Sequence, residues 1–218
     1  MAILADRVDD RSESYRANRA ALLRLIEEHD QQLAIALAGG GPQYAERHRK
    51  LLARERIELL LDRDSPFLEL SPLAGWGTGF PVGAAMVTGI GVVEGRECMI
   101  VANDPTTRGG AINPITLKKN LRAMEIAREN RLPFINLVES GGADLPTQSE
   151  IFIPGGRTFY NITEMSSLGI PTVALVFGNS TAGGAYVPGM SDYVVMIDQR
   201  SKVFLGGPPL VKMATGEE

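Results

Sequence analysis

Cysteine and histidine are scarce in this chain: 218 residues hold one cysteine and two histidines. Cys98 has no second thiol, which excludes an intramolecular disulfide and a four-cysteine zinc site, and no other metal centre is expected. A lone thiol fits a reducing compartment such as the cytoplasm, or a mitochondrial matrix in a eukaryote. His29 and His48 stand in a charged segment far in sequence from the glycine-rich part, so a Ser-His-Asp triad is hard to assemble. Long apolar runs are lacking as well; none approaches the roughly 20 residues of a membrane span. Met1 to Asp10 lack the basic-then-apolar order of a signal peptide. Positive charge is not in excess. The net charge of −4 gives no electrostatic support for nucleic-acid binding. Glycine, by contrast, is abundant, and 21 of the 24 glycines lie from Gly75 onward.

Charge and glycine divide the chain. Residues 1–63 carry 11 acidic and 11 basic side chains and read as solvated helices. One helix is predicted from about Asp10 to Ala38, with Leu22, Ile26, His29, Leu33 and Leu37 on one apolar stripe. Gly39-Gly40-Gly41-Pro42 ends it. A second is predicted from Tyr44 to Leu61, burying Leu52, Ile57, Leu60 and Leu61 and leaving Arg47, Arg54 and Arg56 on a solvated face. A turn at Asp64-Ser65-Pro66 separates a helical segment, 1–65, from a core domain, 66–218.

The core alternates. Ala84–Val93 and Glu97–Ala102 form a strand pair around Glu94-Gly95. Asn113 caps a helix that starts at Pro114 and ends near Asn130. Strands follow at Pro133–Val138, Pro171–Phe177, Tyr193–Ile197 and Val203–Leu205, with helices at Arg157–Leu168 and Thr181–Met190. Short apolar strands between helices indicate an α/β fold with a mostly parallel, doubly covered sheet.

Two segments share one design. Pro133–Glu139 runs into Ser140-Gly141-Gly142-Ala143, and Pro171–Phe177 runs into Gly178-Asn-Ser-Thr-Ala182-Gly183-Gly184-Ala185. Each delivers paired glycines to the carboxyl end of a strand, where open α/β sheets bind ligands. Glycine admits a ligand to the backbone, and N–H groups at a helix head lack intrahelical partners. Such donors suit an oxyanion, for example the enolate of a thioester. Either pair is also compatible with an ordinary turn. Gly109-Gly110, after Arg108, can hold a ligand near the same edge, whereas Gly155-Gly156 and Gly206-Gly207 read as loop or helix-cap positions. Protein bases are few. Glu139 and Asp144 flank the first turn and serve either as an acid/base pair or to hold the turn. Donors without a base point to a base brought by a cofactor or partner.

These residues resemble a known family. Ala53-Arg-Glu-Arg-Ile57, Ser65-Pro-Phe-Leu-Glu-Leu70, Gly95-Arg-Glu-Cys-Met-Ile-Val-Ala-Asn-Asp104, Leu137-Val-Glu-Ser-Gly-Gly-Ala143, Gly156-Arg-Thr-Phe-Tyr-Asn161, Ser180-Thr-Ala-Gly-Gly-Ala-Tyr-Val-Pro188 and Gly207–Glu218 carry the likeness. It is to the carboxyltransferase (β) subunit of biotin-dependent acyl-CoA carboxylases, nearest the methylcrotonyl-CoA branch. The resemblance implies a crotonase-like core of repeated β-β-α units, preceded here by the helical segment. It also implies oxyanion donors at Gly183 and Gly184, with Gly141 and Gly142 second. Ser140, Ala143, Ala182, Ala185, Tyr186, Arg108, Gly109 and Gly110 complete the implied acyl-CoA contact set. The implied reaction moves CO2 from carboxybiotin to the α- or vinylogous γ-carbon of an acyl-CoA through an enolate, the freed ureido group taking the proton. The resemblance also implies that biotin arrives on a partner, the biotin carboxylase/carrier (α) subunit; Val211-Lys212-Met213 in this chain is not a biotin-attachment sequence. Further copies of the β subunit are the other implied partners.

Two departures stand out. The run Arg47-His48-Arg49-Lys50-Leu51 is about three residues shorter than the family's pattern, which places Arg49 and Lys50 in doubt as ligand contacts. The chain also ends at Glu218, inside the first of the family's two crotonase-like domains, so it reads as an N-terminal portion. Two other functions stay open: a hydratase or hydrolase using Glu139, Asp144 or Glu164, and a non-catalytic acyl-CoA-binding or assembly fragment.

Overall fold

The computed structural model describes residues 8–48 and 51–216. Arg49, Lys50 and Glu217-Glu218, with the questions attached to them, lie outside the described residues. Three helices come first: α1 (Glu13–Ala38), α2 (Pro42–His48) and α3 (Ala53–Leu60). Strands β1 (Phe67–Leu70), β2 (Met86–Val93) and β3 (Arg96–Asn103) follow, then α4 (Pro114–Asn130), β4 (Phe134–Ser140), α5 (Gln148–Ser167) and β5 (Thr172–Thr181). The chain closes with α6 (Tyr186–Met190), β6 (Tyr193–Met196), β7 (Lys202–Phe204) and α7 (Pro208–Thr215).

The strands form one seven-stranded sheet in the order β1-β2-β3-β4-β5-β6, with β7 also on β5. β1, β2 and β3 are antiparallel, and every pairing from β3 onward is parallel. The sequence dictates the hairpin. Glu94 and Gly95 both adopt positive φ, 50° and 71°, as a two-residue turn matched to strand twist requires. Asp62 fixes it by accepting both their N–H groups at 2.7 Å. At α4, the Asn113 side chain accepts from the N–H of Ile115 (2.9 Å) and Thr116 (3.0 Å), and Pro114 needs no acceptor.

All seven residues of β4 are buried, and their alternation divides the core in two. Phe134 packs with Met99, Met124, Ile162 and Met165 under α4 and α5. Ile135 and Leu137 pack on the other face with Ile100 of β3 and with Ala53 and Ile57 of α3. Burying side chains of this size contributes about 1.5–3 kcal/mol each.

Several expectations change. The stripe on α1 is not core: Leu22, Ile26 and Leu37 are exposed, Ala36 is the buried residue of this helix, and His29 sits in solvent beside Asp30. Helical spacing gave the stripe, but Leu22 and Ile26 face solvent, and the stripe meets α2 and α3 at its Leu37 end. The predicted helix 44–61 is two helices, and α3 restarts where Glu55 accepts the Leu52 N–H at 2.6 Å. Of the arginines assigned to solvent, Arg56 is buried. α5 begins at Gln148, nine residues before Arg157, so Gly155-Gly156 are helical rather than loop. β1 was missed because its four residues alternate too briefly to register.

Candidate active site

β4 and β5 deliver the two glycine turns to one edge. Ser140 pairs with Ser180, so the strands end level. The turns touch: a Cβ on Gly142 would lie 3.0 Å from the Thr181 carbonyl, and one on Gly184 would lie 3.0 Å from Ser140 Oγ. Gly142 has φ +88°, a conformation open to glycine at no steric cost. Arg108-Gly109-Gly110 joins them, since the Gly109 carbonyl accepts the Gly141 N–H at 3.0 Å. Gly110 has φ +70°, and a Cβ there would sit 2.3 Å from the Glu139 carbonyl.

Hydrogen bonding decides which donors are free. Gly141 is engaged by Gly109, and the Gly142 N–H donates to Ser140 Oγ at 3.1 Å. Both N–H groups of the expected second donor pair are therefore used within the fold. The next residue differs. Ile112 donates to the Gly142 carbonyl and accepts from Asp144, both at 2.8 Å, which turns the Ala143 N–H away from that bridge. Among the described residues the Ala143 N–H has no partner. In the second turn a 3-10 segment, Ala182–Ala185, starts after Thr181 and leads into α6. Its first two N–H groups, those of Ala182 and Gly183, have no intrahelical acceptor. The Gly184 carbonyl is held by Ser180 Oγ at 2.8 Å, and Tyr186 packs on Phe159 with ring centroids 5.1 Å apart.

Ala143, Gly183 and Gly184 line a cavity of about 100 Å³ that runs back between the sheet and helices α4 and α5. Its walls include Met86, Val101, Leu117, Val138, Ile151 and Phe159, with Gly155 thinning the α5 wall. Among the described residues, no aspartate, glutamate, histidine, lysine or arginine lines it. The three candidate carboxylates are all elsewhere. Glu139 points to the opposite face and pairs with Arg56 at 2.5 Å, in the space left by the absent side chain of Gly178. Asp144 pairs with Arg108 at 3.5 Å and bonds Thr147. Glu164 pairs with Arg128 at 2.8 Å on the outer surface between α5 and α4. That hydrogen bond, foremost, holds the Glu164 carboxyl below its ordinary pKa.

Sequence reasoning missed Asn136 and Asn120 in this cavity. The legible signal was a lone amide, Asn136, inside an otherwise apolar strand core.

Among solved structures, the beta subunit of Pseudomonas aeruginosa geranyl-CoA carboxylase superposes with TM-score 0.76 at 42% identity, over 94% of this chain and 40% of that one. Transcarboxylase 12S, solved with methylmalonyl-coenzyme A bound, gives 0.80 at 28% identity, over 88% and 39%. The α/β core is therefore crotonase-like, of the carboxyltransferase kind. Residues 45–218 match the carboxyl transferase domain, and the chain belongs to that family. A Mycobacterium tuberculosis protein named a probable biotin-dependent acyl-coenzyme A carboxylase beta2 subunit is 65% identical over 99% of the chain. The mitochondrial methylcrotonoyl-CoA carboxylase beta chain of Arabidopsis thaliana is 52% identical over 100%. The chain spans 41% and 38% of those relatives' lengths. Among the described residues, no helix is long and apolar enough to cross a membrane.

Proposed function

We propose that this chain supplies the acyl-CoA-binding half of a biotin-dependent acyl-CoA carboxyltransferase. One observation carries the reading: free backbone donors meet at a cavity whose lining holds no ionisable side chain. The N–H groups of Ala143 and Gly183 hold the thioester oxygen as negative charge develops on it. A preorganised donor of this kind lowers the barrier by about 3–4 kcal/mol. Ser140 and Gly184 shape the wall beside the thioester, while Ala182, Ala185 and Tyr186 continue the second turn. Arg108, Gly109 and Gly110 form the rim, with Arg108 placed for a CoA phosphate. Residues 66–218 make up the acyl-CoA domain, with α3 packed onto it.

Such a site stabilises an enolate but does not make one. Biotin, carried by a partner α subunit and not attached to this chain, supplies the carboxyl group and the proton acceptor when present. Completion of the site by the rest of a longer β subunit, and by further copies of it, fits the share of its relatives that the chain spans. The test is transfer of labelled carboxylate from carboxybiotin to a panel of acyl-CoAs, comparing this chain with the full-length subunit. Label is expected in acyl-CoA with the full-length form only. Acyl-CoA turnover without biotin, abolished by Asp144→Ala, would favour a hydratase or hydrolase instead.

A further inference from the structure

We infer that the cavity behind Ala143 and Gly183 is built for a short acyl chain bearing a hydroxyl group, held between Asn136 and Asn120. The inference rests on the acyl-CoA reading above and names the substrate class of that site. Strand alternation puts Asn136 on the same face as Phe134, Val138 and Ser140, toward α4 and α5. Asn136 is only 8% exposed, lines the cavity, and has a buried Nδ2 without a hydrogen-bond partner. Asn120 of α4 lines the same cavity with a buried, unpartnered Oδ1, while its Nδ2 lies 3.9 Å from Met124 Sδ. A buried donor and a buried acceptor are thus left open in a single chamber.

Three further polar side chains of the lining are engaged within the fold, and Thr158 adds a hydroxyl to the wall. Thr116 Oγ1 donates to the Ala84 carbonyl at 2.7 Å, and Asn103 Oδ1 accepts the Glu139 N–H at 3.3 Å. Ser140 Oγ donates to the Gly110 carbonyl at 3.3 Å. An unpaired buried amide is costly, and leucine or valine would line a purely apolar pocket without that cost. A hydroxyl answers both atoms: its oxygen accepts from Asn136 Nδ2 and its hydrogen goes to Asn120 Oδ1. A methylene at the same place leaves both unpaired. A volume of about 100 Å³ is smaller than the roughly 150 Å³ of an apolar cavity that binds benzene, so the chain is short.

A water molecule offers the same donor and acceptor, and the two sources differ in their effect on specificity. The experiment uses the full-length subunit with its biotin-bearing partner and two acyl-CoAs of equal chain length. One is plain and one is hydroxylated beyond the α-carbon. The hydroxylated thioester is expected to have at least tenfold higher kcat/KM. Asn136→Leu should erase that preference, mainly through KM, and Asn120→Leu supplies the same test if the first variant does not fold. A plain substrate preferred by the unaltered enzyme, as a resident water would produce, overturns the inference. So does a preference that neither variant changes. Failure to carboxylate any acyl-CoA would instead overturn the reading on which the inference rests.

Discussion

Arg56 and Glu139 stand 83 residues apart in sequence, yet Arg56 Nη2 donates to Glu139 Oε2 at 2.5 Å behind the strand that ends in the Ser140 turn. The guanidinium also lies 4.5 Å from the centre of the Phe177 ring. Burial, the largest influence, lowers the pKa of Arg56, and Glu139 opposes that shift. The pair ties α3 to β4 and fixes the residue immediately before the turn.

Removing one partner strands a charge in the core. Glu139→Ala is therefore expected to lower stability by about 3–5 kcal/mol in urea unfolding. Glu139→Gln, which keeps the shape, should retain carboxyl transfer in the assembled enzyme. A fully folded but inactive Glu139→Gln would assign Glu139 to acid/base chemistry instead.

Gly178 gives the carboxylate its room. A Cβ at this position would lie 2.3 Å from Glu139 Oε1, so Gly178→Ala must displace the carboxylate from Arg56. A loss of about 1–3 kcal/mol is expected from the overpacking. Because both changes break one interaction, the double variant with Glu139→Ala should lose clearly less than the sum of the singles. Simple additivity in urea midpoints would refute the link.

Lys119 on α4 is buried and donates to the carbonyls of Gly83 (3.2 Å) and Met86 (2.6 Å). Burial lowers its pKa to about 8. The unfolded chain, with a lysine pKa near about 10.4, binds the proton more tightly than the fold does. Between about pH 8 and 10.4 the unfolded state carries the extra proton, so this group's contribution to stability rises with pH. The penalty is fully present below about pH 8. The stability of the unaltered chain relative to Lys119→Met should therefore increase from pH 7 to pH 9.5, measured by urea unfolding at each pH. A flat difference would show that the amine keeps its ordinary pKa in the fold.

Much of this arrangement was legible in the sequence. Asn113-Pro114 announced α4, Glu94-Gly95 announced the hairpin, and the paired glycines after two apolar strands announced two turns that meet at one sheet edge. Local chemistry carries those signals. What was not legible depends on distant partners. Arg56 looked solvated because nothing nearby in sequence shows that Glu139 and Phe177 receive it. Leu22 and Ile26 looked buried because spacing reports a stripe but not whether anything covers it. Gly141 and Gly142 looked like free donors because only the folded loop shows that Gly109 and Ser140 already take their N–H groups.

Backbone N–H groups at the Ala143 and Gly183 turns are proposed to polarise a thioester carbonyl. Isotope-edited infrared spectroscopy of a carbonyl-labelled acyl-CoA bound to the full-length subunit tests it most directly. On binding, the labelled carbonyl stretch is expected to move to lower frequency than in water. A bound frequency equal to or above the value in water would contradict it.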